Sequence, residues 1–421
     1  MSSGHIRLHT APWLFAGTGV VVRRGAVAVD GGTIVEVGPL DDVRRLLPAA
    51  TVVEWPGVLI PGLVNAHTHL QYSGMADLGK VKYDSFETWS EAFEEEYLRR
   101  SDWREGAYAG AQLLLANGTT AAGDVVTHVE ALDALHTAGV HGIAYWEVMA
   151  WHEADWFDHG RDQVIEVLRH GEVHQVGLSP HAPYSLDTEV LRDLGLLARQ
   201  YGLRTHVHLA ESAFEHDFVA TGSGPLAEQW RDWGFAEFAL LRQGGSARRP
   251  VQYAEDLGVL GPGTHIAHGV YVDAEDRARL RQTSTVVALC PRSNAVIGLD
   301  EPPVAAYLRE GNAIAVGTDS LASSPSLDVL DDLAELHRIA RAQGYAGDDL
   351  HARLLEAATA GGAGALGMAD RFGTLEPGRL ADFTILGIDA HTGADALAEI
   401  VESGAGKTIA TVIGGETRFS R

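Results

Sequence analysis

Eight short apolar runs, separated by amphipathic stretches, constrain this chain more than any other feature. The runs are Leu63–His69, Thr119–Val125, Gly142–Val148, Gln175–Ser179, Arg204–Leu209, His265–Val270, Val286–Cys290 and Ala313–Gly317. Between them, segments such as Glu105–Ala116, Ser185–Tyr201, Ala274–Gln282 and Leu327–Gln343 carry apolar residues at helical spacing. Strand and helix alternating eight times predicts an α/β chain of the (β/α)8 TIM-barrel type, with insertions.

The two ends read differently. Ala26–Val29, the pair Gly31-Gly32 and Thr33–Val37 give a strand, a tight turn and a strand. Near the other end, Gly373–Gly378 reads as a turn, and Ala381–Leu386 and Thr408–Ile413 as strands. The expected organisation is a small β-sandwich from residues 1–57 and 372–421 around a barrel spanning 58–371. A helical insertion is expected near 212–249, where Trp230, Trp233 and Phe235 argue for a packed lid.

Composition removes several classes. Of 421 residues, 46% are hydrophobic and 21% charged, which excludes a disordered chain. The 32 basic and 57 acidic residues sum to −25, a surface that repels nucleic-acid phosphates. No apolar run approaches the roughly 18 residues of a membrane span, and the N-terminus lacks signal-peptide features. The single cysteine, Cys290, allows no intrachain disulfide, so a reducing, cytoplasmic location is expected.

The 20 histidines hint at metal chemistry, and several sit at strand ends. His67 and His69 close the first strand, His181 follows the fourth, His206, His208 and Glu211 close the fifth, His268 the sixth and Asp319 the eighth. Barrels of this type place their active sites at the C-terminal face. Residues two apart on a strand point the same way, so His67 and His69 can clasp one ion. With His208 and Asp319 they give three imidazoles and a carboxylate. That donor set suits one divalent metal ion, Zn²⁺ or Fe²⁺, with a position left for water. Taken singly, each signal has a plainer reading: a structural His-x-His pair, or an Asp319 helix cap. Their joint placement on strand ends favours the metal. His5, His136, His159, His170, His337 and His391 fall in helices or loops and are expected at the surface. The roles of His206, Glu147 and Trp151 stay open.

Pro61-Gly62-Leu63-Val64-Asn65-Ala66-His67-Thr68-His69 resembles the strand-one metal motif of the amidohydrolase superfamily. Gly373-Thr374-Leu375-Glu376-Pro377-Gly378-Arg379-Leu380-Ala381-Asp382 resembles its closing motif. Within it, His208-Leu209-Ala210-Glu211, Ala267-His268-Gly269-Val270, Cys290-Pro291-Arg292-Ser293-Asn294 and Gly317-Thr318-Asp319-Ser320 are similar to the cytosine-deaminase-like branch. The resemblance implies His67, His69, His208 and Asp319 as metal ligands. It implies Glu211 and His268, with Asp319, as acid/base groups. Asp319 and His268 would take a proton from water, and Glu211 would protonate a ring nitrogen before ammonia leaves. Many members hold two metals bridged by a strand-four lysine. Here the only lysines are Lys80, Lys82 and Lys407, so one metal is expected.

Ser179-Pro180-His181-Ala182-Pro183-Tyr184 is similar to the strand-four motif of purine-nucleoside deaminases, which implies His181 at the nucleoside. Asn65 to Ser73, Tyr145-Trp146-Glu147-Val148, Cys290 to Gly298 and Thr221 to Pro225 most resemble the 6-aminodeoxyfutalosine deaminases of menaquinone biosynthesis. That substrate carries a benzoate, for which Arg292 is the expected partner, with Ser320 also at the substrate. S-adenosylhomocysteine, methylthioadenosine and adenosine are the alternative substrates. Guanine deamination, ring dechlorination and a metal-free scaffold are alternative functions. Related enzymes imply a homodimer or larger homo-oligomer.

Overall fold

The computed structural model describes residues 6–17, 19–170 and 175–421, so His5 lies outside the described residues. Before the barrel come β1 (Arg7–Phe15), β2 (Val21–Asp30), β3 (Thr33–Pro39), β4 (Thr51–Glu54) and β5 (Val58–Pro61). The barrel strands are β6 (Leu63–Thr68), β7 (Thr119–Val126), β8 (His141–Val148), β9 (Val176–Pro180), β10 (Thr205–Leu209), β11 (Thr264–His268), β12 (Val286–Leu289) and β13 (Ile314–Val316). After it come β14 (Phe383–Leu386), β15 (Thr408–Ile413) and β16 (Glu416–Ser420).

Strands β6 to β13 pair in sequence order, all in parallel. Every residue of β6, β7 and β10 is buried, as expected for strands covered on both faces. The seam between β13 and β6 is held by bonds at one end. The backbone amides of Thr318 and Asp319 donate to the carbonyl of His67 at 3.1 and 3.0 Å. The Asn65 side chain donates to Thr318 Oγ1 at 2.7 Å and accepts from the Thr318 amide at 3.1 Å. The same seam therefore brings His67 and Asp319 together. Gly317 sits there for want of space: a Cβ would stand 2.8 Å from both Cys290 Sγ and His67 Cβ.

The chain ends form one hydrogen-bonded sheet in the order β16-β15-β14-β5-β1-β2-β3, with β4 added on β1. β5 and β14 run antiparallel, pairing Pro61 with Phe383 and Val58 with Leu386. The sheet curls until its far edge meets the approach to β14, where Ile34 donates to the Arg379 carbonyl and accepts from Gly378. Leu14, Val27, Ile34, Leu59, Phe383, Ile385 and Val412 fill the space enclosed. The sandwich expected from the sequence is thus a single sheet folded on itself.

Two insertions overhang the C-terminal end of the barrel. The one expected near 212–249 contains helices Ala213–Thr221, Pro225–Trp230 and Ala239–Gln243, with a π-helical turn at Arg231–Phe235. Ser212 caps the first helix by accepting from the Phe214 amide, and Gly222 ends it in the left-handed region at φ 62°. The other follows β6 and contains helix Phe86–Tyr97, capped by Ser85. Among the described residues, no helix is long and apolar enough to cross a membrane.

Candidate active site

Four donor atoms from three strand ends converge. His69 Nε2 and His208 Nε2 lie 3.3 Å apart. Asp319 Oδ1 lies 3.4 Å from His67 Nε2 and 3.6 Å from His69 Nε2. Ligands about 2.0–2.1 Å from a tetrahedral metal are about 3.3–3.4 Å from one another, so these spacings are those of an ion's coordination shell. His67 Nε2 is buried and has no hydrogen-bond partner, an arrangement a cation completes. Burial lowers His67, takes His69 down to about 3 and puts His208 well below the ordinary histidine range, which favours the neutral, metal-donating form. Burial alone would raise the Asp319 carboxyl. Its contact with His67, ahead of those with His69 and His268, holds it well below the usual carboxylate range.

Neighbours aim these ligands. His67 Nδ1 lies 2.8 Å from His206 Nε2, and His208 Nδ1 lies 3.3 Å from the carbonyl of His181. Each bond occupies one ring nitrogen and leaves the other facing the centre. This settles where His206 sits: behind His67, away from the cavity. Asp319 Oδ2 accepts from Ser293 Oγ at 2.7 Å and Ser323 Oγ at 2.9 Å, leaving Oδ1 for the centre. The backbone turns sharply at these strand ends. Ala210, His268 and Asp319 have φ of 54°, 74° and 57°, a region costly for side chains with a Cβ and concentrated at functional sites.

Glu211 and His268 form a second pair beside the centre. Glu211 Oε1 stands 3.3 Å from His268 Nε2, and His268 Nδ1 lies 3.0 Å from Asn294 Oδ1. With Asn294 so oriented, Nδ1–H donates, which leaves Nε2 facing Glu211. Burial pushes the Glu211 carboxyl up to about 7, against the opposing charge of His268. A carboxyl near neutrality transfers protons in either direction. Glu215 steadies the loop by accepting from the amides of Ala210 and Glu211 at 3.0 and 2.9 Å.

A cavity of about 530 Å³ opens above this floor. His69, His208, Glu211 and Asp319 line its base, and His181, Ser320 and Glu147 its sides. Its two walls face each other. Phe86, Trp89, Phe93 and Tyr97 come from the helix after β6, and Trp230, Trp233 and Phe235 from the lid. Gln229 Nε2 joins the walls by donating to Ser90 Oγ at 3.2 Å. The lid aromatics stand where the sequence placed them. The first wall is unanticipated, although its four aromatics fall at i, i+3, i+7 and i+11, one face of a helix.

His181 Nδ1 lies 2.8 Å from Ser185 Oγ, which leaves Nε2 toward the cavity. Ser320 Oγ lies 3.2 Å from Ser323 Oγ beside Asp319. Arg292 departs from expectation. Its guanidinium turns to Ser326 at 2.9 Å, Asp331 at 3.2 Å and Asp332 at 3.7 Å, and it does not line the cavity. Asp332 is fully buried on helix Val329–Ala342, and that carboxyl claims the nearest cation. Trp151, left open in the sequence, packs on Trp156 outside the cavity lining. His337, expected at the surface, is half-buried between His351 and Glu402.

Residues 58–418 match the amidohydrolase family. The chain is 31% identical to an aminodeoxyfutalosine deaminase of Deinococcus radiodurans, over 78% of this chain and 79% of that one. It is 32% identical to a 5-methylthioadenosine/S-adenosylhomocysteine deaminase of Nitratidesulfovibrio vulgaris, over 88% of this chain and 81% of that one. Among solved structures, a zinc-bound adenosine deaminase of Xanthomonas campestris superimposes with a TM-score of 0.79 at 23% identity, covering 98% of this chain and 92% of that one.

Proposed function

The chain belongs to the amidohydrolase family, and from that premise we propose that it is a metal-dependent deaminase of an adenine nucleoside, with 6-aminodeoxyfutalosine as the leading substrate. The observation that carries the reading is the floor of the cavity. Three imidazole nitrogens and one carboxylate oxygen converge at ligand spacing, with a buried Glu–His pair beside them. His67, His69, His208 and Asp319 would hold one divalent ion, zinc being favoured by the zinc-bound structural neighbour and by the donor set. When bound, the ion supplies Lewis acidity that makes water a usable nucleophile near neutral pH.

The protein's own groups do the rest. Asp319 and His268 Nε2 accept the water's proton, Asp319 being held ionised and His268 held as an acceptor by Asn294. Glu211 protonates the ring nitrogen next to the carbon under attack, which carries the ring's electrons while that carbon is tetrahedral. The proton taken from water is then delivered to the exocyclic nitrogen, which leaves as ammonia while the new hydroxyl returns its proton to Glu211. His181 and Ser320 contact the nucleoside, and the aromatic walls exclude water from its outer part.

A second substrate reading has its own support. Among the described residues, no arginine or lysine lines the cavity, which suits the neutral thioether methylthioadenosine as well as a benzoate whose carboxylate reaches solvent. The cytoplasm is the proposed compartment, supported by a lone, buried Cys290. A homodimer or larger assembly is proposed, to be read by light scattering. The deciding experiment is ammonia release by zinc-loaded protein on 6-aminodeoxyfutalosine, methylthioadenosine, S-adenosylhomocysteine, adenosine and guanine. Fastest turnover of the first supports the full proposal. A preference for a thioether keeps the reaction and replaces the substrate. No ammonia from any of them removes the deaminase reading.

A further inference from the structure

Away from the cavity, three helices bring a second set of metal-binding side chains together. His337 lies on helix Val329–Ala342, His351 on helix Leu350–Glu356 and Glu402 on helix Gly393–Ser403. The first two helices follow the last barrel strand, and the third connects β14 to β15 of the end sheet. The amide of Gly406 donates to Asp328 Oδ2 at 2.9 Å, which ties the end of the third helix to the start of the first. His351 Nε2 lies 2.7 Å from Glu402 Oε1, and His337 Nε2 lies 3.7 Å from the same oxygen. The two rings stack, with centroids 4.7 Å apart and planes 20° apart. One nitrogen of each ring and a carboxylate oxygen fall within 4.8 Å of one another.

A hydrogen bond between His351 and Glu402 accounts for one imidazole only. His337 Nε2 is buried and, among the described residues, has no hydrogen-bond partner. A cation between the three groups would satisfy both rings and the carboxylate at once. We propose that His337, His351 and Glu402 form a second, peripheral zinc site that clips the helices after the barrel to the helix of the end sheet. Two imidazoles and a carboxylate, with water in the fourth position, are a set that zinc takes. Ligands of one tetrahedral zinc stand about 3.3–3.4 Å apart, and a small turn of Glu402, whose side chain is 48% exposed, evens the 2.7 and 3.7 Å spacings to that value. The same exposure admits the water. None of the three residues lines the cavity, so the site stands apart from the reaction. With three protein donors against four buried ones, it fills second, after activity has levelled off.

The test is a calorimetric titration of the full chain, carrying no added histidines, with zinc beyond the first equivalent. Wild-type protein, His351→Gln and Glu402→Gln are compared, and the melting temperature of each is followed against free zinc. Wild-type protein is expected to bind a second, weaker zinc, which His351→Gln and Glu402→Gln both lose while keeping the first. Free zinc at about 100 times the second dissociation constant should raise the wild-type melting temperature by about 3 °C and leave both variants unmoved. Should His351→Gln not fold, Glu402→Gln decides alone, since its side chain stands half in solvent. Saturation of wild-type protein at one zinc per chain overturns the inference. A second zinc that survives both substitutions also overturns it, since the ion would then sit elsewhere. Either failure leaves the deaminase reading untouched, because that reading depends on the first zinc and on ammonia release.

Discussion

The floor and the walls of the cavity are built by opposite means. The floor is made of strand ends, where the barrel's hydrogen bonds fix each backbone and a second side chain fixes each ring: His206 behind His67, Ser293 and Ser323 on Asp319, Asn294 on His268. The walls are made of inserted helices that face each other with aromatic side chains and are joined by a side-chain bond, Gln229 to Ser90. The contrast teaches a division of labour. A rigid polar floor sets the reaction, and adaptable apolar walls set what is carried into it.

The sharpest break of that comparison is at the floor. Removing the metal with a chelator, or substituting Asp319→Asn, should abolish turnover, with zinc restoring the chelated protein and not the variant. Next, Glu211→Gln should keep its metal and lose about 10²–10⁴-fold in kcat, checked by steady-state kinetics beside elemental analysis. A smaller effect is expected one layer back. His206→Gln should weaken zinc affinity by about 10–100-fold through His67, read by competition with a chromogenic chelator. If it leaves affinity untouched, the orientation argument fails.

The walls should respond in a different parameter. Trp233 lines the cavity yet is 42% exposed, so Trp233→Ala removes wall without a core cavity. KM should rise by about tenfold, with kcat held within about threefold. A fall in kcat without a change in KM would place the lid in the chemistry and erase the contrast. The smallest effect is expected at Arg292. Arg292→Ala should lower the melting temperature by stranding Asp332, and leave KM within about twofold.

Legibility follows the same division. Strand ends were readable because the apolar period locates each strand and the barrel fixes which end bears function: the eight expected runs match β6–β13 to within a residue or two. The residues that converge on the floor were readable because His67, His69, His208 and Asp319 are polar residues where apolar ones are the rule. The lid was half readable, from Trp230, Trp233 and Phe235. The facing helix was not, because aromatics on one helical face look the same whether they pack on a core or on a cavity. Arg292 misled for a related reason. Sequence places it near strand seven, but only packing shows Asp331 and Asp332 within reach of its guanidinium. The curled sheet of the two ends was visible as strands, whereas its closure through Ile34 and residues 378–380 depends on long-range bonds.

The most direct test of the central claim is a zinc titration of the metal-free protein with ammonia release followed in the same samples. The account expects activity to rise linearly and level off at one zinc per chain, with Glu211→Gln binding the same single zinc and releasing almost no ammonia. Activity that levels off only at two zinc ions per chain, or that persists without metal, would contradict it.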